Sequence, residues 1–208
     1  MGAKAGTIIL SLIVAVTGVV AGRSEPVRAF AAPQALDRQV RDDMTARGAF
    51  PWSGSRPLRW ADFAGAAPAA NGEGALTAYS IFYGVQCAGE RFQFLALAGF
   101  LSRDSWVRPE VLADKAQSDR TLHHEQTHFD LTEVFARRLR KAFSDLYQPC
   151  RRADGDLDAL ASQYLRQEKG EQQRYDDETR HGLAASEQAA WDRQIASDLS
   201  ALAAYARQ

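Results

Sequence analysis

At Pro109 the hydrophobic period of the chain changes, and that change limits the architectures open to it. Before it lie two segments rich in aromatic and β-branched residues, 75–87 (ALTAYSIFYGVQC) and 91–101 (RFQFLALAGFL). Ala88-Gly89-Glu90 joins them as a hairpin connection. Leu58 to Phe63 alternates apolar and polar residues and predicts an edge strand, and Ser105 to Val107 extends the sheet. After Pro109, apolar residues recur every three or four positions. A long helix is expected from a cap at Ser118 or Asp119 to about Tyr147, and a more polar one from Asp156 to about Arg180. In the second, Gln167 to Arg174 reads as mostly solvated. A last helix follows from a cap at Ser186, with the stripe Trp191, Ile195, Leu199, Leu202 and Tyr205. Strands first and helices second predict an α+β domain: a small antiparallel sheet, then three helices.

The first of those helices carries His124-Glu125-Gln126-Thr127-His128, an H-E-x-x-H motif. Helical spacing puts His124 and His128 one turn apart on one face, where two imidazoles can reach one Zn²⁺. Glu125 is then placed to act as general base toward a metal-activated water. Three of the chain's four histidines are His123, His124 and His128, a cluster that scattered surface residues would not produce. His123 is rotated by about 100° from His124 and has a flanking role.

A catalytic zinc takes three protein ligands and leaves one position open. His181, the remaining histidine, sits at a helix end beside Gly182 and is the expected third ligand. Asp176 is the runner-up, ahead of Glu178 and Asp177. Asp130 and Glu133 face away from the His pair and suit supporting or structural work. Tyr175 is read either as a hydrogen-bond donor to a developing oxyanion or as a packed aromatic.

The chain's address comes from its start. Lys4 precedes an uncharged apolar run, 7–22, and Ala29-Phe30-Ala31 offers a cleavage site, so 1–31 reads as a signal peptide or a retained N-terminal anchor. Either predicts export to the periplasm or outside the cell, with membrane contact only if the segment is retained. Residues 32–57 form a lead-in, and 58–208 a single domain. Removing 1–31 takes away three of the 25 basic and one of the 26 acidic side chains, leaving a slight negative balance. That offers no basic face for nucleic acid. Cys87 and Cys150, far apart in an exported chain, predict a disulfide.

Several motifs together resemble a known family. They are Leu58-Arg59-Trp60-x-Asp62-Phe63, Ser105-Trp106-Val107, His124-Glu125-Gln126-x-His128-Phe129-Asp130 and Tyr175-Asp176-x-x-Thr179-x-His181-Gly182, with Gln188 and Trp191 beyond. Over residues 55–200 the chain is similar to a bacterial family first catalogued as a domain of unknown function and described as predicted secreted zinc-dependent proteases. The resemblance implies a zincin-like metal site with the Tyr-Asp…His-Gly segment close to the helical histidines. It implies no substrate. The expectation is therefore a secreted zinc metallopeptidase acting on a peptide or protein. The alternative is a non-catalytic zinc-binding or cell-envelope interaction domain.

Overall fold

The structure is a computed structural model and describes residues 33–69 and 72–206. The expected signal segment, 1–31, lies outside the described residues. The fold is α+β. Helix α1 (Pro33–Ala46) and strand β1 (Ala49–Pro51) come first, followed by β2 (Ala75–Leu76), β3 (Tyr79–Ala88), β4 (Arg91–Leu101) and β5 (Trp106–Val107). Then come α2 (Pro109–Ala113), α3 (Lys115–Ser144), α4 (Asp154–Thr179) and α5 (Ala185–Ala201). One antiparallel sheet has the order β1-β4-β3, and β2 pairs with β5 in a second.

The β3–β4 hairpin pairs Tyr79 with Phe100 through to Ala88 with Arg91, turning at Gly89 with φ +63°. Alternation along the strands sends side chains to two different partners. Ile81, Tyr83, Ala96, Ala98 and Phe100 join the apolar stripe of α3, namely Phe129, Val134, Phe135, Leu139 and Phe143. Phe82, Leu95 and Leu97 pack on the other face against Leu36, Val40 and Met44 of α1. With both faces covered, β4 is buried without a break from Leu95 to Leu101.

Three expectations are corrected here. The segment 32–57, read as a lead-in, contributes α1 and β1 to the domain. Glycines make the close approach of α1 possible: a Cβ on Gly84 would lie 2.8 Å from Leu36 Cδ1, and one on Gly99 3.1 Å from Met44 Cε. Residues 58–63 are not an edge strand. Asp62 Oδ2 accepts the backbone N–H of Arg59 at 2.9 Å and curls the segment into a 3-10 turn, Trp60–Asp62. Trp60 and Phe63 then pack edge to face, with ring centroids 4.9 Å apart. The long helix begins earlier than expected, capped by Asp114, whose carboxylate accepts from Gln117 N at 2.8 Å. Ser118 instead accepts a hydrogen bond from Trp60 Nε1 at 2.7 Å.

The predicted disulfide is present. Cys87 at the end of β3 is bonded to Cys150 just before α4, across 63 residues of sequence. In the chain-entropy account a loop of that length contributes about 4 kcal/mol by restricting the unfolded chain. The bond ties the hairpin to the helices that carry the site.

Candidate metal centre

Helix α3 carries His124 and His128 inward, 3% and 7% exposed. Helix α4 crosses it and brings Gln172, Tyr175 and Asp176 to the same place, and α5 adds Gln188. His124 Nε2 and His128 Nε2 lie 3.2 Å apart. Asp176 Oδ1 is 3.2 Å from the first and 2.9 Å from the second. Donors about 2.0 Å from a common tetrahedral centre stand about 3.3 Å from one another. The triangle has the size such a centre needs. Among the described residues, His124, His128 and Asp176 form the one cluster of three or more His, Cys, Asp or Glu residues able to hold a metal ion.

Hydrogen bonds behind the imidazoles determine which atoms point inward. His128 Nδ1 faces Gln172 Oε1 at 2.6 Å. The amide of Gln172 is oriented by its nitrogen, which donates to His128 O at 2.9 Å and to Thr132 Oγ1 at 3.2 Å. His124 Nδ1 faces Gln188 Oε1 at 3.2 Å, and Gln188 Nε2 donates to Asp192 Oδ1 at 2.9 Å. Each Nδ1 therefore carries the proton, and each Nε2 presents a lone pair. Two lone pairs and a carboxylate oxygen then converge with no proton between them, an arrangement that calls for a cation. Without a cation the same atoms favour a proton in its place. Burial opposes ionising Asp176, but hydrogen bonds and charge from His124 and His128 outweigh it and hold its carboxyl well below the usual carboxylate range. Burial also opposes charging His128, yet Asp176, Glu125 and Gln172 together raise its pKa.

Glu125 is buried, and its Oε2 has no hydrogen-bond partner among the described residues. Its backbone carbonyl accepts from Thr77 Oγ1 at 3.2 Å, which docks this turn of α3 on the segment between β2 and β3. A buried carboxylate oxygen without a donor is an unsatisfied group that a water at the site would satisfy.

The other expected residues fall in different places. His181 lies outside the donor triangle: its side chain is 58% exposed, with Nδ1 3.5 Å from Asp176 Oδ1. It follows the end of α4 in a left-handed turn, Arg180 φ +50°, His181 φ +54° and Gly182 φ +79°. The donor supplied by this part of the chain is Asp176, the runner-up. Gly182 has its own part, because a Cβ there would meet His124 Cβ at 2.9 Å. Tyr175 is fully buried, its hydroxyl 2.8 Å from Gln188 Oε1 and 3.2 Å from His124 O. Burial pushes its pKa above the usual phenol value. Its ring stacks on His124 with centroids 4.6 Å apart, so it packs and orients the ligand. Asp130 accepts from Trp52 Nε1 and Gln126 Nε2, each at 2.7 Å, and joins α3 to the β1 segment. Glu133 is buried between Arg137 and Arg140, away from the site. His123 faces Asp192 at 2.8 Å on the surface.

Sequence reasoning missed Glu168 and Gln172, in a stretch expected to be solvated. Both are buried, at 3% and 1% exposure. Their signal is helical phase: Glu168, Gln172 and Asp176 stand at four-residue intervals, continuing the face begun by Leu157 and Ala161. Tyr79, the first residue of β3, was also missed. Its ring lies nearly parallel to that of His128, at 12° with centroids 6.4 Å apart. Burial, then the charges of Glu168 and Asp176, raises its pKa.

The fold and site define a class: an α+β domain whose helices bring two imidazoles and a carboxylate together in a group able to hold a metal ion. Residues 103–182 match the model of DUF922, described as a bacterial protein of unknown function. The match contains His124, Glu125, His128, Asp176 and Gly182, and ends before Gln188. Comparison with curated proteins and with solved structures gives no match.

Proposed function

We propose that the protein is an exported zinc-dependent hydrolase of peptide bonds. The observation that carries this reading is the convergence of His124 Nε2, His128 Nε2 and Asp176 Oδ1, with both imidazoles oriented from behind by glutamine amides. Two nitrogens and one carboxylate oxygen suit Zn²⁺, and three protein donors rather than four suit a catalytic site. The apolar run near the N-terminus and the Cys87–Cys150 disulfide support export.

When bound, Zn²⁺ supplies Lewis acidity toward a carbonyl and toward water. Glu125 supplies the proton acceptor. Its unpartnered Oε2 takes the proton of the attacking water, and the same carboxyl returns it to the leaving amine nitrogen. Gln172, Gln188 and Tyr175 hold the two imidazoles in their tautomers. Strand β3 supports an extended substrate, since it lies at one edge of its sheet. Ala78 O accepts from Leu101 N at 2.9 Å, so the alternation turns the backbone groups of Tyr79 and Ile81 away from β4 and toward that edge.

The test is Glu125→Gln in the full chain. Zinc content should remain one equivalent while hydrolysis of fluorescently labelled casein falls by about 10²–10⁴-fold. Chelation should abolish wild-type activity, and added zinc should restore it. Full activity in the variant, or purified protein that takes up no zinc, would sink the reading.

A further inference from the structure

Peptide hydrolysis puts negative charge on the carbonyl oxygen, and a hydrogen-bond donor held beside that oxygen stabilises it. Two tyrosines border the centre, and the structure separates their roles. Tyr175 has one hydroxyl proton, and that proton faces Gln188 Oε1 and His124 O inside the core. It is not available to a substrate. Tyr79 begins β3, with its ring nearly parallel to the imidazole of His128 and centroids 6.4 Å apart. It is only partly buried, and its hydroxyl makes no hydrogen bond with another described residue. The charges of Glu168 and Asp176, both on α4, act on its hydroxyl. Tyr79 also belongs to the strand edge whose backbone groups are turned outward, so a chain lying along that edge passes this phenol beside the donor triangle.

We propose that Tyr79 is a catalytic residue whose phenol O–H donates to the substrate carbonyl oxygen as that oxygen takes on negative charge. The proposal rests on the hydrolase reading. It transfers to Tyr79 the role that sequence alone suggested for Tyr175, and it gives a use to an uncommitted hydroxyl beside the centre. No proton leaves the phenol, because the hydrogen bond strengthens as charge develops and relaxes when the bond to nitrogen breaks.

The experiment compares Tyr79→Phe with the wild-type protein, since phenylalanine keeps the ring against His128 and removes only the hydroxyl. Zinc content and melting temperature should be unchanged. KM for labelled casein should stay within about twofold while kcat falls about 10²–10³-fold, the effect of losing one oxyanion donor. Inorganic phosphate serves as an oxyanion probe in the cobalt-substituted protein, followed by visible absorption. Its affinity should fall at least about tenfold in the variant. Tyr175→Phe should weaken metal binding instead, through Gln188. Equal phosphate affinity and equal kcat in Tyr79→Phe and wild type would overturn the proposal. If wild type cleaves no casein but the two proteins differ in phosphate affinity, the hydrolase reading falls and the Tyr79 donor site remains. If phosphate affinity is also the same, both fall.

Discussion

Glu168 gives the sharpest quantitative test of how the polar face of α4 is built. It lies one turn from Gln172, the residue that holds His128, and is 3% exposed. Burial pushes its carboxyl from 4.5 up to about 8, against the lowering effect of hydrogen bonds with Thr132 and Gln172. Its Oε1 has no partner among the described residues. The folded chain therefore keeps this proton at neutral pH, whereas the unfolded chain loses it above about pH 4.5. Between those values the unfolded state binds fewer protons than the folded one, so stability falls as pH rises. The contribution is fully present below the unfolded pKa and is lost as pH climbs through about 8. At about 1.4 kcal/mol per unit, pH 7 lies about 2.5 units above the unfolded value, and the penalty there is about 3–4 kcal/mol as an upper bound.

Glu168→Gln is uncharged throughout and escapes that penalty. In metal-free protein the melting temperatures of variant and wild type should nearly coincide at pH 5. At pH 7 to 8 the variant should melt up to about 6–16 °C higher, taking about 2–4 °C per kcal/mol for a domain of this size. The His128–Asp176 pair titrates in both proteins and cancels in the difference. Glu168→Met should follow the same trend, separating loss of charge from gain of an amide. A melting difference that stays flat between pH 5 and 8 would show that Glu168 is ionised in the folded protein, and the account of the α4 face would be wrong.

Gln188→Leu removes the acceptor behind His124 Nδ1, so zinc affinity should fall about 10–100-fold in chelator competition, and an unchanged Kd would mean that Gln188 does not orient the imidazole. Gly182→Ala forces a Cβ to within 2.9 Å of His124 Cβ at φ +79°, so it should lower stability by more than about 1 kcal/mol and weaken zinc binding. Gly170→Ala, within α4 with nothing within 4 Å of the added Cβ, should stabilise by about 0.5–1 kcal/mol, and equal effects at the two glycines would refute the contact with His124.

The hairpin and the three long helices were legible because their hydrophobic periods are strong and each buries one apolar face. Helix α1 was harder to see. Its buried stripe is only Leu36, Val40 and Met44, and its partner surface includes Gly84 and Gly99, positions whose meaning is the lack of a side chain. At the site, the His124–His128 spacing sufficed to name two donors, because both sit inside a regular helix where phase determines direction. The third donor turned on the same rule. Asp176 is within α4, in phase with Gln172 and Glu168, and so faces α3 with them. His181 lies past the helix end, where two consecutive non-glycine residues of positive φ direct its side chain, and no helical periodicity applies. Its imidazole suits a metal, but no helical phase directs it toward the His124–His128 pair. The stretch 167–174 misled for a related reason. Hydropathy treats a polar residue as solvated, but Glu168 and Gln172 face neighbouring polar groups in the interior rather than water. What separates the two cases is whether the polar positions continue the buried face set by the apolar ones. Leu157, Ala161, Glu168, Gln172 and Asp176 do, and that continuity was in the chain to be read.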